Sequence, residues 1–585
     1  MIVPVLIFAV LAAGCYGSLK TPDVPKPPEP AGDDDTVGDD DTAGDDDNSE
    51  VITVDGMTVD FVNYEIVEVD PTDDDTGDDD TIGDDDTGDD DVEPYDPSEY
   101  RYVIEGTLGA PIIITGGIVV TANVSGEIEV IENGEARVED NRIACVGEAG
   151  ACSETDETGE PTIVHLAPTD KIYPGLIDTH NHHKYSPCGL FTHPGTTYTH
   201  SAQWRGSDEY GLWKDNCADL IAEFGLICEA NQHGLTRSTI GGATATQSAP
   251  NNRCLRESQY IPLLGRDIDY VHGFGPDLPD INRANVLGPG SYSDEEAQNI
   301  CAQQATDGIG LISHSGEGHR EDPHVIAELE VLRTKADGCL LNPQTLIIHG
   351  NWDLADELAA AACDEEAGEC SPDYLPRFVW SPSSNTDLYG WQMLASLPVA
   401  DLLDYGVIVA LAPDWICSHG IGMITELNVA REFISDFLST EFPLPDGSTT
   451  LIPDITDEDL FLMATHYAAI AANLGDRIGR LQENLAADIT IVTGLTDYPY
   501  ETAFLGNIAG VMVGGQWKYG DDWLMPAARL YRESPDNCED LEICDVSKKI
   551  CIPETLEGDR VRLSELTFAG LFDLQPFDAL PGSCF

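Results

Sequence analysis

Between residues 172 and 484, short apolar runs alternate with stretches of helical period. Leu176-Ile177 and the runs at 309–312, 345–348, 378–380 and 407–411 are bounded by Gly or polar residues and are too short for helices. Continuous apolar character over so few residues is the texture of strands buried on both faces. Between such runs, CADLIAEFGLICEANQHG (217–234) and PHVIAELEVLRTKA (323–336) space their apolar positions three and four apart, as a helix with one buried face requires. The alternation predicts parallel strands with crossover helices, and its length suits one (β/α)8 TIM-type barrel over 172–484. The flanks read differently. IIITGGIVVTA (112–122) and EIEVIENGEARVEDNRIACVG (127–147) before the barrel, and ADITIVTG (487–494) and GVMVGGQWKYGD (510–521) after it, are short strands punctuated by Gly-Gly, Asn-Gly and Asp-Asn turns. They predict a small composite β-sandwich built from 101–171 and 485–535. The tail, 536–585, carries Cys and fits no element.

The first hundred residues have neither pattern. Residues 1–14 are apolar and end in small residues before Cys15, which reads as a lipoprotein signal peptide with Cys15 the lipidated residue. The departures are an n-region without Lys or Arg and Ala12 where Leu is usual; a plain secretory signal is the alternative. Both predict an extracytoplasmic protein, the first one lipid-anchored to a bacterial membrane. Residues 15–100 follow as a linker holding seven Asp triplets, at 33–35, 39–41, 45–47, 73–75, 78–80, 84–86 and 89–91. Such a run buries too little apolar surface to fold, and its self-repulsion keeps it extended. Only 51–69 alternates like a short hairpin. Clustered carboxylates could associate with Ca2+, although the spacing is not that of an EF-hand loop.

Charge and cysteine content narrow the partners. With 28 Lys+Arg against 107 Asp+Glu, the net charge is -79. A surface this acidic repels nucleic acid and anionic headgroups, so neither is expected as a partner; membrane contact is expected only through the anchor, and the expected ligand is a small-molecule substrate. Sixteen Cys suit an oxidising compartment. Cys145 with Cys152, Cys363 with Cys370, and Cys538 with Cys544 and Cys551 lie close enough for short-loop disulfides. If Cys15 carries lipid, an odd number remains and at least one thiol stays unpaired.

The chemistry concentrates in Tyr173-Pro174-Gly175-Leu176-Ile177-Asp178-Thr179-His180-Asn181-His182. Residues i and i+2 on a strand face the same way, so His180 and His182 can reach one metal at the end of the strand. A lone His-x-His is weak evidence; the whole string is specific, and it resembles the amidohydrolase superfamily. That resemblance implies further residues in a fixed order. GIGLISHSGEGH supplies a metal-binding His314 with Glu317 three residues on, similar to the cytosine/guanine deaminase and triazine chlorohydrolase branch. TLIIHGNW supplies His349, FVWSPSSNTDLYG resembles the Ser/Asn-containing loop after strand seven, and GVIVALAPDW ends in Asp414. The resemblance spans about 110–525. Binuclear members bridge two metals with a carboxylated Lys on strand four, and no Lys occurs between Asp215 and Thr334, which favours one metal.

The resemblance implies one divalent ion, Zn2+ or Fe2+, on His180, His182, His314 and Asp414. Asp414 would also take a proton from the bound water, His349 would hydrogen-bond the hydroxide or oxyanion, and Glu317 would donate a proton to a ring nitrogen or leaving group, a task that needs a closed pocket. His183, His193, His200, His319, His324 and His419 read as loop or lid residues, and Gln203, Trp204 and Arg205 as substrate contacts or packing. Two departures, Ala412-Pro413 before Asp414 and Ala-Ala where Asn-Pro is common in the helix after the barrel, bear on substrate identity. The expected reaction is deamination of a cyclic amidine or nucleobase-like ring; ring-opening amide hydrolysis of the imidazolonepropionase kind, or a non-catalytic surface-displayed lipoprotein, are the alternatives.

Overall fold

The computed structural model describes residues 97–551 and Cys584, apart from 153–158, 194–196, 248–264, 269–283, 288–292, 352–362, 365–368, 371–374, 391–398, 405, 438–440, 444–448, 452–454, 501–503 and 532–537. The leader, Cys15, the Asp triplets and the 51–69 alternation all lie outside the described residues. No described helix is long and apolar enough to cross a membrane.

Eight short strands carry the central sheet: Leu176–Asp178 (β1), Ala243–Thr246 (β2), Arg266–Asp267 (β3), Ala284–Leu287 (β4), Gly310–Ser315 (β5), Thr345–His349 (β6), Arg377–Trp380 (β7) and Val409–Leu411 (β8). They pair as β3-β2-β1 and as β4-β5-β6-β7-β8, every pairing parallel. A parallel bridge between Asn181 and Asp414 brings the segment after β8 onto the segment after β1. The sheet therefore curls into an α/β barrel-like fold, with its last strand beside its first.

Helices follow the strands because parallel neighbours cannot be joined by a tight turn. Pro323–Thr334 follows β5 and starts cleanly: the Asp322 side chain accepts from the His324 N–H, and Pro323 stands where no N–H is needed. Asp294–Asp307, after β4, opens with a reciprocal Ser293/Glu296 capping box and closes at Gly308 with φ 67°. Strand residues divide by parity. Leu311, Ile347, Phe378, Val409 and Leu411 share a core with the helix residues Leu332 and Leu427. Their alternates Ile312, Leu346, Ile348, Val379 and Ala410 pack instead with Ala468, Ala469, Ala471, Leu474 and Ile478. Ala471 and Asn473 meet Gly310 and Gln344, at the starts of β5 and β6, around one small cavity. The Ala-rich segment thus closes the end of the sheet opposite the strand C-termini.

Strands from both flanks share one eight-stranded sheet. Lys171–Pro174 pairs antiparallel with Ile489–Val492 and parallel with Ile118–Ala122. The tail is not structureless: Cys538–Ile543 and Val546–Cys551 form a hairpin that extends this sheet beside Gln516–Asp521. A buried ion pair ties the two regions, Arg266 Nε and Nη2 donating to Asp488 at 2.6 and 2.7 Å.

Disulfides join Cys145–Cys152, Cys188–Cys217, Cys301–Cys339, Cys538–Cys551 and Cys544–Cys584. Cys544 therefore pairs with the far tail rather than with its near neighbours. Cys363 and Cys370 are backbone register partners in a two-stranded antiparallel pair. Among the described cysteines Cys417 is a free thiol, and it is buried.

Candidate metal centre

The C-terminal ends of β1, β5 and β6 and the turn after β8 bring five of the sequence-identified residues together. His180 Nε2 lies 2.8 Å from Asp414 Oδ1 and 3.2 Å from His314 Nε2; His182 Nε2 lies 3.5 Å from the same Asp414 oxygen. The His349 ring centroid lies 6.0 Å from that of His180 and 5.9 Å from that of His314. Ligand atoms of His180, His182 and His314 all fall within 4.8 Å of one another, as do those of His180, His349 and Asp414.

Backbone conformation sets this convergence as much as strand register does. His314 sits two residues after Ile312 and shares its side of β5. His349 and Asp414 instead have φ of 72° and 62°, a left-handed conformation that non-glycine residues rarely adopt. Asp414 is held there from both sides, its N–H donating to the His180 carbonyl at 3.1 Å and its carbonyl accepting from the His182 N–H at 2.9 Å. Non-glycine residues held in sparsely populated regions persist where their surroundings over-determine them.

A residue that sequence reasoning missed fixes the imidazole at the centre. Gln247, immediately after β2, presents Oε1 to His180 Nδ1 at 3.0 Å and to the Asn181 N–H at 3.3 Å. The Asn181 contact demands an oxygen at that point, so His180 Nδ1 carries the proton and Nε2 carries the lone pair. That lone pair faces a carboxylate oxygen and a second imidazole nitrogen, an arrangement that needs a cation or a proton between them. The spacings of 2.8 to 3.5 Å bracket the separation of about 3.3 Å that tetrahedral ligands about 2.05 Å from a zinc ion would have. The residues present fit a divalent ion with N and O ligands. Gln247 carried one signal in the sequence: a polar residue directly after a short strand, at the end where such sites lie.

Electrostatics agree with a cation-binding site. Burial, then His180, holds His182 and His314 well below the ordinary imidazole range, so both stay neutral, the form in which an imidazole can bind a metal. Burial also opposes charge on His180, but the Asp414 carboxylate and Gln247 outweigh it and raise its pKa. Burial pushes Asp414 up; His180, His349 and His182 overcome this and hold it well below the carboxylate range. Ser384, in the Pro382–Tyr389 helix after β7, donates to Asp414 Oδ2 at 2.5 Å. Beneath the site, burial raises Asp178 to about 7 and Glu426 to about 8. Asp178 accepts from Asn181 and Ser238, and Glu426 from the Ser383 N–H and hydroxyl.

Glu317 follows β5 within the chain segment that runs beside 199–201, where His200 and Gly318 form a bridge. Its oxygens are both engaged, Oε1 by the Tyr389 hydroxyl at 2.6 Å and Oε2 by Arg205 at 3.1 Å. Arg205 is thus an ion-pair partner, Trp204 is buried with its indole N–H on Tyr389, and Gln203 accepts from the Thr199 N–H. Of the flanking histidines, His183 is no lid residue: it is buried and bonded to Thr246. His193 and His419 both approach Asp387, His200 stacks on His324, and His319 reaches the Tyr389 carbonyl.

Residues 395–518 match the amidohydrolase family. They cover β8, Asp414 and the strands that follow the barrel. Among solved structures, an adenosine deaminase from Xanthomonas campestris with bound zinc aligns over 72% of this chain and 98% of its own, at 15% identity and a TM-score of 0.50. Atrazine chlorohydrolase from Arthrobacter aurescens TC1, complexed with zinc, aligns over 69% and 94%, at 17% identity and 0.49. E. coli guanine deaminase aligns over 70% and 99%, at 14% identity and 0.48. No curated protein matches the chain by sequence. The family match together with the His-rich centre supports a hydrolase acting on carbon–nitrogen bonds.

Proposed function

We propose that this chain deaminates a cyclic amidine or nucleobase-like ring, using one divalent ion, Zn2+ or Fe2+, held by His180, His182, His314 and Asp414. The observation that carries the reading is that the ligand atoms of His180, His182 and His314 lie within 4.8 Å of one another, with Asp414 Oδ1 2.8 Å from His180 Nε2 and 3.5 Å from His182 Nε2 and Gln247 fixing the tautomer of His180. When bound, the ion supplies Lewis acidity, bringing the pKa of a coordinated water from about 15.7 towards neutrality. Asp414, kept ionised by its imidazole neighbours and oriented by Ser384, is suited to take the proton from the attacking water. His349, whose buried Nδ1 has no partner among the described residues, is suited to hydrogen-bond the developing oxyanion. Glu317 is the candidate to carry a proton to the ring nitrogen or the departing amine. The aligned adenosine deaminase, with its bound zinc, is consistent with this substrate class. The disulfides and the leader ending at Cys15 support an extracytoplasmic setting with a lipid anchor, and the Asp triplets remain candidates for loose Ca2+ association.

The test is metal analysis of purified protein followed by an ammonia-release screen over guanine, cytosine, adenosine, melamine and hydantoin. One ion per chain with ammonia from an amino-substituted ring is expected. A ring-opened acid without ammonia would move the assignment to cyclic amide hydrolysis. Full metal loading with no turnover of any member would refute the deaminase reading.

A further inference from the structure

The arrangement around Glu317 is more specific than a general acid requires, and it contains residues with no role so far. The Tyr389 hydroxyl donates to Glu317 Oε1 at 2.6 Å, and the Trp204 indole N–H donates to the Tyr389 oxygen at 2.8 Å. Indole is a donor only, so it occupies the acceptor side of the phenol and directs the phenol's own proton to Glu317. Trp204, Tyr389 and Glu317 are all buried. They come from three segments: the short helix Ser201–Arg205 in the connection after β1, the helix after β7 and the turn after β5. The other carboxylate oxygen, Oε2, is met by Arg205, whose side chain is 49% exposed. One oxygen is therefore anchored inside the protein, and the other is held by a half-exposed side chain whose guanidinium lies over the Trp204 ring, 5.1 Å from its centroid.

We infer that Tyr389 is the positioning residue that fixes Glu317, with Trp204 setting the direction of its proton, and that Oε2, once Arg205 withdraws, is the oxygen that meets substrate. This rests on the reading of Glu317 as the proton carrier. Oε1 keeps its partner throughout, so the carboxylate presents Oε2 at one angle instead of rotating about its terminal torsion, which is otherwise broad. Burial, then Glu317, holds the Tyr389 hydroxyl well above the usual phenol range, so it stays a donor. A fixed carboxylate is already close to its reacting geometry, and that benefit belongs to the chemical step rather than to binding.

The experiment compares Tyr389→Phe with wild type as zinc-loaded full chains, by crystallography and by ammonia release with the amino-substituted ring that the screen identifies. Tyr389→Phe removes one hydroxyl and keeps the ring. The Glu317 carboxylate is expected to leave its present orientation, and kcat to fall about 10- to 100-fold, the range for a lost hydrogen bond to a charged group. KM should stay within about threefold and zinc content unchanged. Arg205→Ala should instead act on binding, lowering KM because a competitor for Oε2 is gone. A Tyr389→Phe structure with Glu317 unmoved overturns the inference whether or not a substrate is in hand, and so does an unchanged kcat. Wild-type turnover in Glu317→Gln would sink the proton-carrier reading instead, a result separable from the first because Tyr389 is intact in that variant.

Discussion

Gln247→Leu tests the metal centre through a residue that touches no metal. Gln247 Oε1 accepts from His180 Nδ1 at 3.0 Å and from the Asn181 N–H at 3.3 Å, and His180 is fully buried. Leucine is close in volume and accepts nothing, so two buried donors lose their partner. Each donor left unsatisfied costs about 1 to 3 kcal/mol. Part of that loss falls on the folded protein with or without metal. The rest falls on metal binding, because His180 is free to rotate or to change tautomer and present Nδ1 instead of Nε2. Replacement of a partner that orients a metal-bound imidazole typically weakens affinity about 10- to 100-fold, or about 1.4 to 2.7 kcal/mol. The assay is competition with a chromophoric chelator at fixed pH, reading zinc transfer from wild type, Gln247→Leu and Gln247→Glu. The Glu variant keeps an acceptor at the same point and should hold zinc at least as tightly as wild type. If Gln247→Leu binds zinc with wild-type affinity while remaining folded, Gln247 does not set the orientation of His180, and the case for Nε2 as the ligand atom fails with it.

Zinc at about a hundred times its dissociation constant should add about 2.7 kcal/mol to unfolding, and His314→Ala should abolish the shift in thermal melts. Burial raises the Glu426 carboxyl from 4.5 to about 8, so its contribution is full below about 4.5 and is lost as pH rises towards 8. Glu426→Gln mimics the neutral acid; over this window its stability should fall with pH less steeply than that of wild type, by up to about 1.4 kcal/mol per pH unit. Denaturant titrations of metal-free protein at pH 5 and 7.5 read the difference, and parallel slopes would count against it. Arg266→Met leaves the Asp488 charge buried without its guanidinium and should cost about 3 to 5 kcal/mol; the double variant with Asp488→Leu should recover most of it, and a purely additive loss would contradict the pairing seen at 2.6 and 2.7 Å.

Local pattern carried the reading of the strands and of the residues at their ends. Leu176-Ile177, Leu311-Ile312 and Leu346–Ile348 are apolar on both faces because each strand lies between the sheet interior and the outer helices, and that requirement is written into two or three consecutive residues. The candidate His and Asp ligands were picked out for the same reason, since each stands within five residues after such a run. Glycine, proline and capping signals such as Asp322-Pro323 placed the helix starts equally well.

What one-dimensional order could not contain is contact between distant segments. Gln247 meets His180 across 67 positions, Tyr389 meets Glu317 across 72, and Trp204 meets Tyr389 across 185. No periodicity records such pairs, because side-chain hydrogen bonds are made by whichever groups the curled sheet brings within about 3 Å. The tail shows the same limit: Cys544 lay beside Cys538 and Cys551 in sequence, yet the hairpin register pairs those two with each other and leaves Cys544 for Cys584. Strand identity and candidate ligand type follow from local residue chemistry; which oxygen is anchored and which nitrogen is presented were decided when β1, β5, β7 and β8 came together around one mouth, and which sulfur finds which partner was decided by the register of the tail hairpin.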